Sequence, residues 1–175
     1  MSATAEPYTI ATSPLLAELR AAGVPYRLFV HPEPPASLAQ AAQARGQRLE
    51  QIVRSLLFRD PEHRFIMLLL PGGYRADWSA LRRYLGQRRL TLARPAEVLE
   101  VTGFPIGAVG PLGLRRPVRL LADERIFEPE EVSLGSGVRG VAVLLRSADL
   151  RRVLRARGAE IGRFGVLTGA EAHET

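Results

Sequence analysis

The chain contains no cysteine and no lysine. The first absence removes a disulfide framework, a thiolate nucleophile and any cysteine-bound metal. The second means that all 24 basic residues are arginine, which excludes Schiff-base chemistry and a lysine nucleophile or base. A chain-wide preference for arginine over lysine accounts for this without any functional cause. No apolar run approaches the roughly 20 residues of a membrane span; the longest, Phe65–Leu70, has the length of a strand. The start, "MSATAEPYTIATSP", has neither a basic segment nor a long apolar one, so no signal peptide is expected and the cytoplasm is the expected location. Phosphate-binding P-loops, dinucleotide-binding glycine motifs, nucleophile elbows and H-E-x-x-H pairs are all missing. His31, His63 and His173 lie far apart, so neither a metal site nor a cofactor is expected.

What remains is a 175-residue chain, 46% hydrophobic and 24% charged, with a net charge of +6 and a pI near 10.8. That length suits one domain with a real core. Guanidinium groups grip phosphate as planar forks, so the charge favours a polyanionic partner, although a solvated basic surface gives the same composition.

The patterning predicts a flexible leader over residues 1–12, one domain over 13–158 and a frayed tail over 159–175. Within the domain, "SPLLAELRAAGVPY" predicts a helix capped by Ser13, with Pro14 in its first turn. "YRLFVH" alternates as a strand, and Ser37 opens a second helix through "LAQAAQARG". "LEQIVRSLLFRD" turns from a helical end into a strand, and "RFIMLLLPGG" reads as a central strand buried on both faces. Two short helices ("ADWSALRRYLGQ", "RPAEVLEVTG"), a strand at "RPVRLLAD", a strand pair in "EEVSLGSGVRGVAVLL" and a last helix capped by Ser147 complete the pattern. Interspersed helices and late hairpin-like pairs indicate α+β with a mixed sheet.

Three stretches can carry chemistry. "TGFPIGAVGPLG" (102–113) threads four glycines and two prolines through small apolar residues. Gly107 and Pro111 frame three residues, Ala108, Val109 and Gly110, whose amides can form a concave donor surface; a loop whose glycines only solve packing is the alternative. "GSGVRG" (135–140) is either a hairpin bend or a bend that presents Arg139 to a phosphate. Arg54, in "IVRSLLF", alternates with Ser55 on a strand and is placed either at a solvent edge or in a cleft with a partner.

In this order the three stretches resemble the YbaK/prolyl-tRNA-synthetase-associated domain family of aminoacyl-tRNA editing domains, from about Pro14 to Arg155, with "FVHPEPPAS" resembling the loop before the family's second helix. The resemblance implies a single-domain fold with a mostly antiparallel, barrel-like sheet and flanking helices. It implies hydrolysis of a wrong amino acid, alanine or cysteine, from the 3' end of the proline tRNA, as a second sieve for residues that a synthetase pocket rejects weakly. Glycine-loop amides would hold the aminoacyl carbonyl, while a ribose hydroxyl, a water or the substrate's own side chain attacks. Arg54 stands where the family has lysine, and with Gly107, Ala108 and Val109 it forms the implied catalytic set. His31, Ser55, Gly110, Pro111, Gly113, Gly135, Ser136, Gly137 and Arg139 are the implied substrate contacts. Aminoacyl-tRNA and a tRNA synthetase are the expected partners, with no membrane and no DNA. A catalytically weak module that binds tRNA ends or a small ligand is the alternative function.

Overall fold

A computed structural model describes residues 6–169 of the chain. The leucine stripe near the start becomes α1 (Pro14–Ala21), with Leu15, Leu16 and Leu19 fully buried. Ser13 Oγ accepts from the Leu16 amide, as a cap should, and also donates to the Ser136 carbonyl at 2.5 Å. The helix start is thereby tied to the far end of the chain. After β1 (Arg27–Val30), Ser37 caps the short α2 (Leu38–Ala44), and a single 3₁₀ turn (Leu49–Gln51) leads into β2 (Val53–Arg59).

β3 (Phe65–Pro71) pairs antiparallel with β2 along its whole length, and Met67, Leu68, Leu69 and Leu70 are completely buried. The continuous apolar run thus belongs to a central strand covered on both faces, as expected. β4 (Tyr74–Ala76), α3 (Trp78–Leu85), β5 (Thr91–Leu92) and α4 (Pro95–Thr102) follow. A 16-residue connection then leads to β6 (Arg119–Asp123), which lies parallel to β3. β7 (Glu131–Gly135) and β8 (Val141–Arg146) form the expected antiparallel pair before α5 (Ser147–Ala156). Two final strands are β9 (Glu160–Gly162) and β10 (Gly165–Leu167).

The described residues form an α+β fold with five α-helices and three mostly antiparallel sheets, ordered β5-β2-β3-β6-β9, β1-β8-β7 and β10-β4. The sheets do not close into a barrel, contrary to the barrel-like expectation. The five-stranded and three-stranded sheets meet at a single parallel bridge, Ile52 to Ser133, and part beyond it. No described helix is long and apolar enough to cross a membrane.

Three local expectations need correction. Ser147 is the first helical residue of α5, and its hydroxyl donates to the carbonyls of Phe127 and Glu130 instead of capping. Residues 160–162 and 165–167 of the expected tail are built into sheets. The buried Asp123 carboxylate accepts from the amides of Phe164 and Gly165, both at 2.9 Å, and fixes the turn between β9 and β10. Three-residue strands give too few positions for a periodic signal, which is why this segment reads as patternless. In the leader, the Thr9 amide donates to Thr12 Oγ1 at 2.8 Å, and Tyr8 packs edge-on against Phe104. Residues 1–5 and 170–175, the rest of the expected leader and tail, lie outside the described residues.

Candidate active site

β2 creates the site by being half unpaired. β3 covers one side of all seven residues, but β5 pairs only with Phe58 and Arg59 on the other. The Ala93 amide still reaches the Leu57 carbonyl. Beyond the Ile52 bridge, residues 54–56 are left as a free edge, and a cavity of about 330 Å³ lies against this end of β2. That volume is of the order expected for a small-ligand site. Opposite the edge stand Leu134 and Gly135 of β7 and Val141 and Ala142 of β8, with Ile106, Gly107 and Val109 from the long connection, Pro35 from the loop before α2 and Leu38 from its first turn.

The long connection divides its labour by position. Phe104, Ala108 and Leu112 are at most 1% exposed and pack inward. The Ala108 amide donates to the Pro105 carbonyl, closing a turn, and the Ala108 carbonyl accepts from Gly137 at 2.8 Å. Ala108 is therefore a structural rivet, and its N–H is not available to a ligand. Gly110 and Gly135 touch back to back: a Cβ on Gly110 would sit 2.5 Å from the Gly135 carbonyl oxygen, and one on Gly135 would sit 2.3 Å from that of Val109. Only glycine permits this approach. Ile106, Gly107 and Val109 face the cavity, and no acceptor among the described residues meets the N–H of Gly107 or Val109. Gly107 holds φ at +90° with open space where a Cβ would be. A larger residue would strain the backbone there without crowding it.

Of the expected site residues, the cavity gathers His31, Arg54, Ser55, Gly107, Val109 and Gly135. Pro111 and Gly113 line a separate hollow of about 430 Å³, and the Gly113 amide is occupied by Glu18 at 2.6 Å. Ser136 is buried, its hydroxyl spent within its own turn. Gly137 packs on Phe104. Arg139 pairs with Glu6 at 3.1 Å and borders yet another hollow beyond Ile106.

The charges within the cavity are uncompensated. Arg54 donates to the Tyr74 carbonyl at 3.0 Å and has no carboxylate partner among the described residues. Arg45, which sequence reasoning missed, donates from Nε to His31 Nε2 (3.1 Å) and from one terminal nitrogen to Ser133 Oγ (3.0 Å). Its i, i+4 spacing from buried Ala41 was the available signal, because those two positions share one helix face. Burial lowers the Arg45 pKa from its ordinary value. Burial, and then the Arg45 charge, lower that of His31, so the imidazole stays neutral and accepts through Nε2. Ser55 Oγ is buried without a hydrogen-bond partner. Two larger hollows, of about 530 and 430 Å³, are bordered mostly by arginines already paired with acids, Arg64 with Asp60, Arg119 with Glu160, Arg116 with Glu100 and Arg157 with Glu18, while Arg115 donates to the Tyr8 hydroxyl. Among the described residues no three His, Cys, Asp or Glu side chains group as metal ligands would.

Residues 32–153 match the family model of the aminoacyl-tRNA editing domain. The chain belongs to this family. Relatives of the editing domain include the multifunctional Ser/Thr-tRNA deacylase ProXp-y of Escherichia coli K12, 30% identical over 143 residues that cover 79% of this chain and 85% of that one. The proline–tRNA ligase of Thermosipho melanesiensis is 35% identical over 100 residues, which are 57% of this chain and 17% of the ligase. Among solved structures, a putative trans-editing enzyme for prolyl-tRNA synthetase superposes with a TM-score of 0.77 at 28% identity, over 87% of this chain and 95% of that one. The editing-domain match spans every residue of the cavity wall except His31, which lies one position before it.

Proposed function

We propose that the protein hydrolyses the ester linking a small, wrongly attached amino acid to the 3'-terminal adenosine of tRNA, acting in trans in the cytoplasm. The observation that supports this reading is that Arg54, Gly107 and Val109 line one cavity while the N–H groups of Gly107 and Val109 meet no acceptor among the described residues. The amides suit the carbonyl oxygen of the ester and the oxyanion that it becomes. Such preorganised donors are worth roughly 10²–10³ in rate each. A water, oriented by the free ribose hydroxyl of the terminal nucleotide, adds to the carbonyl carbon and loses its proton to solvent. The C–O bond to the esterified ribose oxygen then breaks, and that oxygen leaves with a proton from solvent. Arg54 holds the nucleotide end as a phosphate anchor; a guanidinium keeps the charge of the family's lysine but cannot serve as a base. Apolar walls from Val53, Leu134, Val141 and Ala142 suit a small side chain.

Alanine and cysteine on proline tRNA are the first expected substrates. Serine and threonine form the second reading, favoured by the partnerless Ser55 hydroxyl. Leaving such a group unsatisfied costs about 1–3 kcal/mol, which a hydroxyl brought beside Ser55 would relieve if the side chain turned toward the cavity that Ser55 lines. The relative named a Ser/Thr-tRNA deacylase points the same way. The test is clearance of Ala-, Cys-, Ser- and Thr-charged tRNAs by purified protein. Faster loss than in the blank for at least one supports the reading. No clearance of any, with Arg54→Lys also inactive, refutes it; salt-sensitive tRNA binding in that case identifies a binding module instead.

A further inference from the structure

Arg45 is a half-buried guanidinium on the wall of the cavity with no carboxylate partner among the described residues. Two neutral groups hold it in place. His31 Nε2 accepts from Nε, and Ser133 Oγ accepts from one terminal nitrogen and passes its own proton to Gln47 Oε1 at 2.6 Å. The second terminal nitrogen has no hydrogen-bond partner among the described residues. The fork is thus oriented from behind and left with one open donor. Burying a charge without a counter-ion is unfavourable, and a second uncompensated arginine, Arg54, borders the same space. An anion in the cavity relieves both costs.

The identity of that anion follows from the substrate class, so the inference rests on the editing reading. In an aminoacyl-tRNA the amino acid's carboxyl group is tied up as an ester, and its amino group is neutral or positive. The only anion that such a substrate brings is its phosphodiester chain. We propose that Arg45 binds the last phosphodiester at the 3' end of the RNA, as a second anchor alongside Arg54, with His31 and Ser133 as the residues that position it.

The experiment measures binding of uncharged tRNA, intact or trimmed of its three 3' nucleotides, to wild type, Arg45→Gln and Arg45→Lys. Arg45→Gln should weaken binding of intact tRNA about tenfold and lower the log–log salt slope by about 1. Its affinity for trimmed tRNA should equal that of wild type. Arg45→Lys, which keeps the charge, should recover most of the loss. Equal binding of intact tRNA by wild type and Arg45→Gln would overturn the proposal. So would equal weakening on intact and trimmed RNA, or equal losses in the Gln and Lys variants, the mark of a purely structural role. Because uncharged RNA is used, these results are independent of turnover. Failed deacylation with an intact Arg45 effect would remove the hydrolase and keep the anchor; turnover without the effect would do the reverse.

Discussion

Gly135→Ala is the most informative single change, because it adds one methyl group where two backbone segments meet. The new Cβ would lie 2.3 Å from the Val109 carbonyl oxygen and 2.8 Å from the Ala108 carbonyl carbon and oxygen. Ordinary contact begins near 3.4 Å, so the loop must retreat by about 1 Å. The obstacle is backbone, held by the Gly137 to Ala108 hydrogen bond, so no side chain can swing away. Overpacking of this kind costs about 1–3 kcal/mol, or roughly 2–12 °C in Tm for a chain of this size. The retreating residues include Val109, whose amide is assigned to the ester carbonyl. A displacement of about 1 Å can cost about a hundredfold in rate. The assay pairs thermal unfolding with single-turnover deacylation. Gly158→Ala is the control: its φ of +78° makes alanine strained, but nothing lies within 4 Å and the cavity is elsewhere. It should lower Tm by a few degrees, for roughly 1 kcal/mol of strain, and leave the rate unchanged. A Gly135→Ala protein with wild-type Tm and rate would refute the tight seam between β7 and the loop.

Asp123→Ala should be severe, because it strands the amides of Phe164 and Gly165 together with the Arg125 guanidinium that pairs with Asp123 at 3.0 Å. Breaking a buried pair from one side costs about 3–5 kcal/mol, which should appear as a large fall in the denaturation midpoint; a loss below about 1 kcal/mol would contradict the assigned role. The depressed pKa of His31 sets a pH dependence. The unfolded chain takes up a proton near the ordinary value of 6.5 that the folded imidazole refuses. Its stabilising contribution is therefore complete above that pH and is lost as the pH falls from there to the lower folded pKa. Asp60, Glu97 and Glu160, also held below their ordinary values, lose theirs only below about 4.5. Melting curves between about pH 8 and pH 5 should thus decline for wild type and stay flatter for His31→Gln; parallel curves would refute the assignment.

Much of the fold was legible because its signals are local. Ser13 and Ser37 cap the helices they were expected to cap, and the unbroken apolar run of β3 revealed its two-sided burial. What was missed depends on contacts distant in sequence. Asp123 organises residues 164 and 165 across some forty positions, and no periodicity announces that. Closure was overestimated because the parting of two sheets beyond one bridge at Ile52 leaves no mark in composition. In the cavity, Arg54 and Gly107 could be named from their motifs. Motif spacing does not say which amides of a glycine loop stay free, so Ala108 was misread, and Pro111 and Gly113 were placed on the wrong side of the loop. Arg45 was passed over because a lone arginine at a helix end normally faces solvent. Only the approach of His31 and Ser133, 14 and 88 positions away, makes it part of the wall.

The most direct test of the central claim is the deacylation rate of a mischarged tRNA with wild-type protein, Arg54→Lys and Arg54→Ala. Removing a charge-assisted contact worth about 1.5–3 kcal/mol should lower kcat/KM by roughly 10- to 150-fold in the alanine variant, with lysine restoring much of it. Equal rates for wild type and Arg54→Ala would contradict the assignment of Arg54 and the cavity it borders as the place of reaction.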